Sequence, residues 1–333
     1  MPKRRDPAPP HAKTPVAPAP AVPDAKLLAT LELVAEDYAS ASRADSTLDT
    51  YVKHWNAFAA WCTAHGCNAL PASAQTLMLY LAARADECVR PATLSVTLSA
   101  IGYEHERAGQ PSPTDDPKVK KTWRGIRRRL GTASQKKAPL SAPELRRMIE
   151  VLQPGLSGLR DRALILLGFA GGFRRSELVA LQHTHLRFVR EGLEVMVEHS
   201  KTDQERRGRV KVIAFGSDPE SCPVRALSDW LALSGITAGP VFRPINRHGH
   251  LGARALTGHA VAVVVKQLAA KAGLSTLALS GHSLRTGFVT AAADGGADYA
   301  SITDQTGQSL TTMFGYVRRK DKWKKPASAK LGL

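Results

Sequence analysis

All of the β-type alternation in this 333-residue chain falls in one window, residues 185–215. His185–Arg190, Leu193–His199 and Arg209–Phe215 alternate or are rich in Val, Ile and Phe. Glu191-Gly192 and the polar Lys201–Gly208 segment separate them. Three short strands this close in sequence form an antiparallel meander. The other patterned segments repeat at helical spacing. The predicted class is therefore mainly α, with one small antiparallel sheet.

The helices divide into two groups. Residues 1–25 are Pro/Ala-rich without periodicity and read as a flexible tail. From Lys26 the pattern is helical. Leu48, Tyr51, Val52, Trp55, Phe58 and Trp61 mark one buried face, with Ser46 or Thr47 as cap and Gly66 past its end. Further helices are expected near Ala74–Ala85 and Ala92–Ala108. Gly131–Ala138 lacks periodicity, and Ser141-Ala142-Pro143-Glu144 is a capping box that opens a new helix. This gives a helical domain over 26–133, a linker over 134–140 and a larger domain over 141–333. In the latter, helices are predicted near Ala142–Val151, Leu159–Ala170, Pro223–Leu233, Gly258–Ala272, Ser283–Ala293 and Ser309–Arg319.

Charge narrows the partners. Lys and Arg number 46 against 29 Asp and Glu, a formal net charge of +17. Such a chain meets a polyanion, with nucleic acid ahead of an acidic membrane surface. No apolar run approaches the roughly 18 residues of a membrane span, and neither end carries a long amphipathic basic helix. Lys118, Lys120, Lys121, Arg124, Arg127, Arg128 and Arg129 form a stripe with no acidic residue among them. Trp123, Ile126 and Leu130 lie on the opposite side. The stripe is either a solvated face or a phosphate-binding one; without interleaved acids, self-repulsion favours the second. Cys62, Cys67, Cys88 and Cys222 have neither disulfide-framework nor zinc-site spacing, as expected of thiols in a reducing compartment. The basic N-terminus precedes Pro and Ala, not an apolar run, so no secretory leader is expected.

Four separated segments offer unusual polar residues. Gly171-Gly172-Phe173-Arg174-Arg175-Ser176-Glu177-Leu178 follows an apolar helix and opens another; Arg174 and Glu177 are i,i+3 neighbours, as a surface ion pair or a held arginine. Ser200-Lys201-Thr202-Asp203 sits where a strand enters a turn, and lone turn lysines are commonly just solvated. Gly281-His282-Ser283-Leu284-Arg285 puts His282 and Arg285 on one face at a helix start. The helix N-terminus disfavours imidazolium there, so His282 tends to be neutral and able to take a proton. In Ser309–Arg318, Leu310, Met313 and Val317 form a packing stripe and Tyr316 lies beside it.

In this order and spacing the four segments resemble the tyrosine recombinase (phage integrase) family. The resemblance covers about Lys26–Lys322, most specifically in the second domain. It implies a helical core-binding domain of SAM-like type followed by an α+β catalytic domain. It implies that Arg174 and Arg285 clamp the scissile phosphate and that His282 handles the nucleophile's proton. Lys201 would protonate the leaving 5′-oxygen, Glu177 would support the site, and Tyr316 would attack phosphorus. Such chemistry conserves bond energy in a phosphotyrosine ester, so no metal, ATP or other cofactor is implied. Its partner would be double-stranded DNA with an inverted-repeat core site, with Lys136 and Lys137 joining the basic stripe on phosphates. Assembly would be a homo-tetramer on two DNA sites, from a monomer or weak oligomer when free. The setting would be the cytoplasm, at the nucleoid. A type IB topoisomerase-like strand transferase and a DNA-binding protein with a degenerate site are the alternatives.

One departure stands out. The family usually carries His or Trp nine residues before the tyrosine, in Gly-His-x-Ser. Here Thr306-Gly307-Gln308-Ser309 is one residue shorter. Gln308 is the candidate to make up part of that function through its amide.

Overall fold

A computed structural model describes residues 25–40, 43–132, 138–198, 208–276 and 279–317. The chain divides between Ser134 and Gln135 into two compact units. No helix among the described residues is long and apolar enough to cross a membrane.

The first unit is helical: α1 (Ala25–Ser40), α2 (Asp45–Ala64), α3 (Ala74–Asp86), α4 (Pro91–Arg107) and α5 (Pro117–Leu130). Its core joins Phe58 and Cys62 of α2, Leu77, Tyr80 and Leu81 of α3, Leu94 and Ile101 of α4, and Val119 of α5. Buried His105 is satisfied on both ring nitrogens, at the Ile101 carbonyl (2.8 Å) and the Ala72 N–H (2.9 Å). Two expectations for α2 are corrected. It begins at Asp45 with Ala44 as N-cap, so neither Ser46 nor Thr47 caps it. Val52 is exposed, because the buried face runs through Phe58 and Cys62.

In α5, Val119 is buried and Trp123 and Ile126 pack on the core. Lys118, Lys120, Lys121, Arg124, Arg127, Arg128 and Arg129 are all exposed. Leu130, expected on the packing side, is exposed: it lies one turn past Ile126, where the core ends.

The second unit contains α6 (Ala142–Glu150), α7 (Leu156–Ala170), α8 (Arg175–Val179), β1 (Leu186–Val189), β2 (Gly192–Val197), β3 (Arg209–Ala214), α9 (Pro223–Ser234), α10 (Gly258–Lys271), α11 (Gly281–Asp294), α12 (Tyr299–Thr306) and α13 (Leu310–Val317). The capping box of α6 forms: the Ser141 N–H donates to Glu144 Oε2 (2.7 Å) and Ser141 Oγ accepts from the Glu144 N–H (3.4 Å). The strands form an antiparallel meander in the order β1-β2-β3, with Leu186 opposite Val195 and Val195 opposite Lys211.

The core is built mainly from α7, α9 and α10, with Trp230 fully buried and its indole N–H on the Val241 carbonyl (2.9 Å). Small residues let α11 run close to its neighbours: a Cβ on Gly287 would lie 2.2 Å from the Leu140 carbonyl oxygen. A second small core of Val289, Ile302 and Met313 joins α11, α12 and α13. Helix α12 was not anticipated from the sequence. Leu310 is exposed and does not share the packing stripe; Met313, one turn later, meets the core.

Candidate active site

The site is assembled at the end of α7. Gly171 closes that helix, and Gly172 takes a left-handed φ of 54°. A Cβ at Gly172 would lie 2.8 Å from Phe288, so glycine is required there for conformation and for space. The turn delivers Arg174 to the start of α8. Glu177 reaches back to it: Oε2 accepts from the Arg174 N–H (2.9 Å) and Oε1 from Arg174 Nη1 (2.5 Å).

Glu177 is 2% exposed in its side chain and gathers two further cations. Arg285, on α11, is 1% exposed, with Nη1 3.7 Å from Glu177 Oε2. Its guanidinium donates to the Gly172 carbonyl (2.6 Å) and to the Thr306 carbonyl. Lys211, on β3, is equally buried, with Nζ 4.0 Å from Glu177 Oε2. It donates to the carbonyls of Gly171 (2.9 Å) and Gln305 (2.5 Å), and lies 4.7 Å from the centre of the Phe173 ring. Arg285 and Lys211 thus both tie the glycine turn to the end of α12. One carboxylate serves three cations, an arrangement that leaves net positive charge under the surface.

That charge has titration consequences. Burial pushes the Lys211 ammonium down to about 7; Glu177 opposes this, and Arg285, Arg209 and Arg174 reinforce it. His282, in the first turn of α11 behind the N-cap Ser280, touches solvent but is crowded on its protein side. That desolvation, then the charges of Arg285, Arg175 and Arg174, hold its pKa below the ordinary imidazole value. A neutral imidazole beside guanidiniums can accept a proton, and the guanidiniums can hold an oxyanion.

Arg174, Glu177, His282 and Arg285 are therefore brought together. Gln308 lies in the loop between α12 and α13, and its Oε1 is buried without a hydrogen-bond partner among the described residues. Ser309 Oγ accepts from the Thr312 N–H (3.3 Å) and so caps α13. The backbone of Tyr316 belongs to the last turn of α13; its side chain, like Lys201, Lys136 and Lys137, lies outside the described residues. Lys211 and Arg209 were missed by sequence reasoning. The signal available was the interruption of an apolar strand by two basic residues, Arg209-Val210-Lys211-Val212-Ile213.

Comparison with known proteins gives the family of the chain. Residues 138–322 match the profile described as the phage integrase family. The chain is 40% identical over 280 residues to an integrase/recombinase XerD homolog of Selenomonas ruminantium, covering 83% of this chain and 82% of that protein. It is 28% identical over 300 residues to the tyrosine recombinase XerD of Xanthomonas campestris pv. campestris, covering 83% and 84%. Among solved structures, a lambda integrase dimer bound to a COC′ core site superposes with a TM-score of 0.58 at 16% identity, covering 89% of this chain and 97% of that one. The Tn1549 transposon integrase in complex with transposon right-end DNA gives 0.54 at 14% identity, covering 78% and 87%; at such identity these two establish a common fold. With the family profile spanning more than half the sequence, the chain belongs to the phage integrase family, the tyrosine recombinases that cleave and rejoin DNA at specific sites.

Proposed function

We propose that the chain exchanges DNA strands between paired inverted-repeat sites through a 3′-phosphotyrosyl intermediate at Tyr316. The observation that carries this reading is the cationic cluster over Glu177: Arg174 and Arg285 held by one buried carboxylate, with a proton-accepting His282 beside them. The two guanidiniums take the non-bridging oxygens of a phosphodiester, where charge grows in the transition state. His282 accepts the phenol proton as Tyr316 attacks phosphorus and the 5′-oxygen leaves. Lys201 supplies the proton to that oxygen. The same steps in reverse, with a 5′-hydroxyl of another strand as nucleophile, rejoin the DNA.

The exposed stripe of α5, with Lys136 and Lys137, grips phosphates flanking the cleavage point. A topoisomerase-like reading is disfavoured by the curated relatives, which are named integrases and recombinases.

The test uses a duplex built on the short inverted repeats flanking the gene, nicked just beyond the cleavage point so that the 5′-hydroxyl fragment diffuses away. The chain should be trapped on the DNA, and Tyr316→Phe should abolish the adduct. Tyr299 is the other tyrosine after His282, exposed at the start of α12. Tyr299→Phe should trap normally; trapping by Tyr316→Phe but not Tyr299→Phe would transfer the nucleophile to Tyr299.

A further inference from the structure

Arg209 opens β3 at the edge of the site, half-buried and without an ion pair among the described residues. Its guanidinium lies over Gly307. A Cβ built on Gly307 would fall 2.0 Å from Arg209 Nη1, and Gly307 takes a left-handed φ of 64°. Any other residue at 307 would displace this arginine. The Gly307 carbonyl meanwhile accepts from Arg174 Nη2 (3.4 Å). Two guanidiniums thus converge on one residue, Arg174 at its carbonyl and Arg209 over its Cα. Both, with Arg285, also bear on buried Lys211.

Like charges brought this close repel unless an anion sits among them. Glu177, the carboxylate beneath, is engaged by Arg174, Arg285 and Lys211. Asp304 lines the same open depression of about 470 Å³, but among the described residues it makes no ion pair with Arg209. Gln308 lines that depression too, with its buried Oε1 unpartnered among the described residues. Arg285, by contrast, is deep and already holds two carbonyls. A phosphate arriving from solvent meets Arg174, Arg209 and His282 at the surface first, with Arg285 beneath them at the floor of the seat.

We propose that Arg209 is a third phosphate-contacting arginine, donating to a non-bridging oxygen of the scissile phosphate from the Gly307–Gln308 side. It makes up for the donor that the shortened Thr306–Ser309 segment lacks. The proposal rests on the Arg174–Arg285 phosphate seat described above.

The test compares the nicked duplex with one carrying a methylphosphonate, uncharged, at the scissile position. Arg209→Ala should slow single-turnover adduct formation on the phosphodiester by about 10- to 100-fold, the effect of removing one charged hydrogen bond. On the methylphosphonate it should equal the parent chain within about threefold, since the charge it served is gone. Arg209→Lys should recover part of the loss. An equal slowing on both duplexes would make Arg209 a structural residue and overturn the proposal. So would a sensitivity that persists with the scissile methylphosphonate but vanishes when the neighbouring phosphate is the one neutralised. The same pair of duplexes is compared by equilibrium binding, which needs no chemistry. The parent chain should prefer the phosphodiester, and Arg209→Ala should lose that preference. If the parent chain binds but forms no adduct, the proposed function fails while the binding comparison still decides Arg209. If Arg174→Ala keeps the preference and Arg209→Ala loses it, the phosphate seat was misplaced but Arg209 stands.

Discussion

Lys211 is a buried ammonium in a strand whose alternation points the other way. In Arg209-Val210-Lys211-Val212-Ile213, Val210 and Val212 are exposed while Lys211 and Ile213 face inward. Burying two valines and exposing lysine would follow from hydrophobicity alone. The observed register instead delivers Lys211 to Glu177 and to the carbonyls of Gly171 and Gln305. This is why Arg174, Glu177, His282 and Arg285 were legible in local motifs and Lys211 and Arg209 were not. Their meaning comes from residues far off in the chain, Glu177 for Lys211 and Gly307 for Arg209. A proton balance follows. The unfolded chain keeps the Lys211 proton up to pH about 10.5, the folded one only to about 7. Below that, both forms are charged and the burial penalty is fully felt. Between the two values unfolding takes up a proton, so stability rises with pH, by up to about 1.4 kcal/mol per unit. The stability of the parent chain minus that of Lys211→Met should therefore increase from pH about 7 to about 9 in urea titrations. A flat difference would mean that Glu177 keeps the ammonium charged in the folded state.

At the scale of elements, periodicity placed most helices and all three strands, because most of these bury a face against a continuous core; β1 and α1 do not, β1 having no buried residue and α1 exposing Leu27, Leu28, Leu31 and Leu33. It missed α12, whose sequence Tyr-Ala-Ser-Ile-Thr-Asp-Gln-Thr has a single strongly apolar aliphatic residue. Asp298 caps it through the Ser301 N–H (2.8 Å), Ile302 is its one residue in the apolar core, and its end is held by Arg285 and Lys211 on the Thr306 and Gln305 carbonyls. The shortened segment falls between α12 and α13, in Gly307–Ser309, not within a helix. A deletion inside α13 would turn Tyr316 by about 100°; one in the loop leaves its face unchanged. Helix α5 makes the complementary case. Its polar side was legible as a cationic stripe, and the structure leaves all seven basic side chains exposed, with Lys120 paired to exposed Asp115 at 3.2 Å. Exposed pairs of this kind contribute little, so the stripe remains available to a polyanion. Replacing Lys121, Arg124, Arg127 and Arg128 by Gln should weaken duplex binding and flatten the plot of log affinity against log salt, by about 0.9 for each phosphate left without its cation. An unchanged slope would return α5 to the role of a solvated face.

The whole molecule carries +17, and for the proposed strand exchange this governs when copies would come together. Copies with that much like charge repel at low ionic strength, which opposes association of the free chain. A duplex removes the obstacle by neutralising each copy on its phosphates and releasing counterions. Strand count then fixes the stoichiometry of the proposed reaction. Exchanging two duplexes requires all four strands to be cut and rejoined, and each chain offers one Tyr316. Four chains on two duplexes satisfy both requirements, and an inverted repeat seats two of them on each duplex with matching orientation. Sedimentation should therefore show a monomer or weak oligomer without DNA, two chains on one duplex, and four chains with two duplexes as the complex is concentrated at a fixed two chains per duplex. Raising salt should dissolve the four-chain species before the protein unfolds, since its assembly depends on the neutralised phosphates. A stable tetramer of the free chain at low salt would show that protein contacts alone overcome the repulsion, and would remove DNA as the trigger. A complex that stops at one chain per duplex would leave cleavage without exchange, the behaviour of a strand-relaxing enzyme.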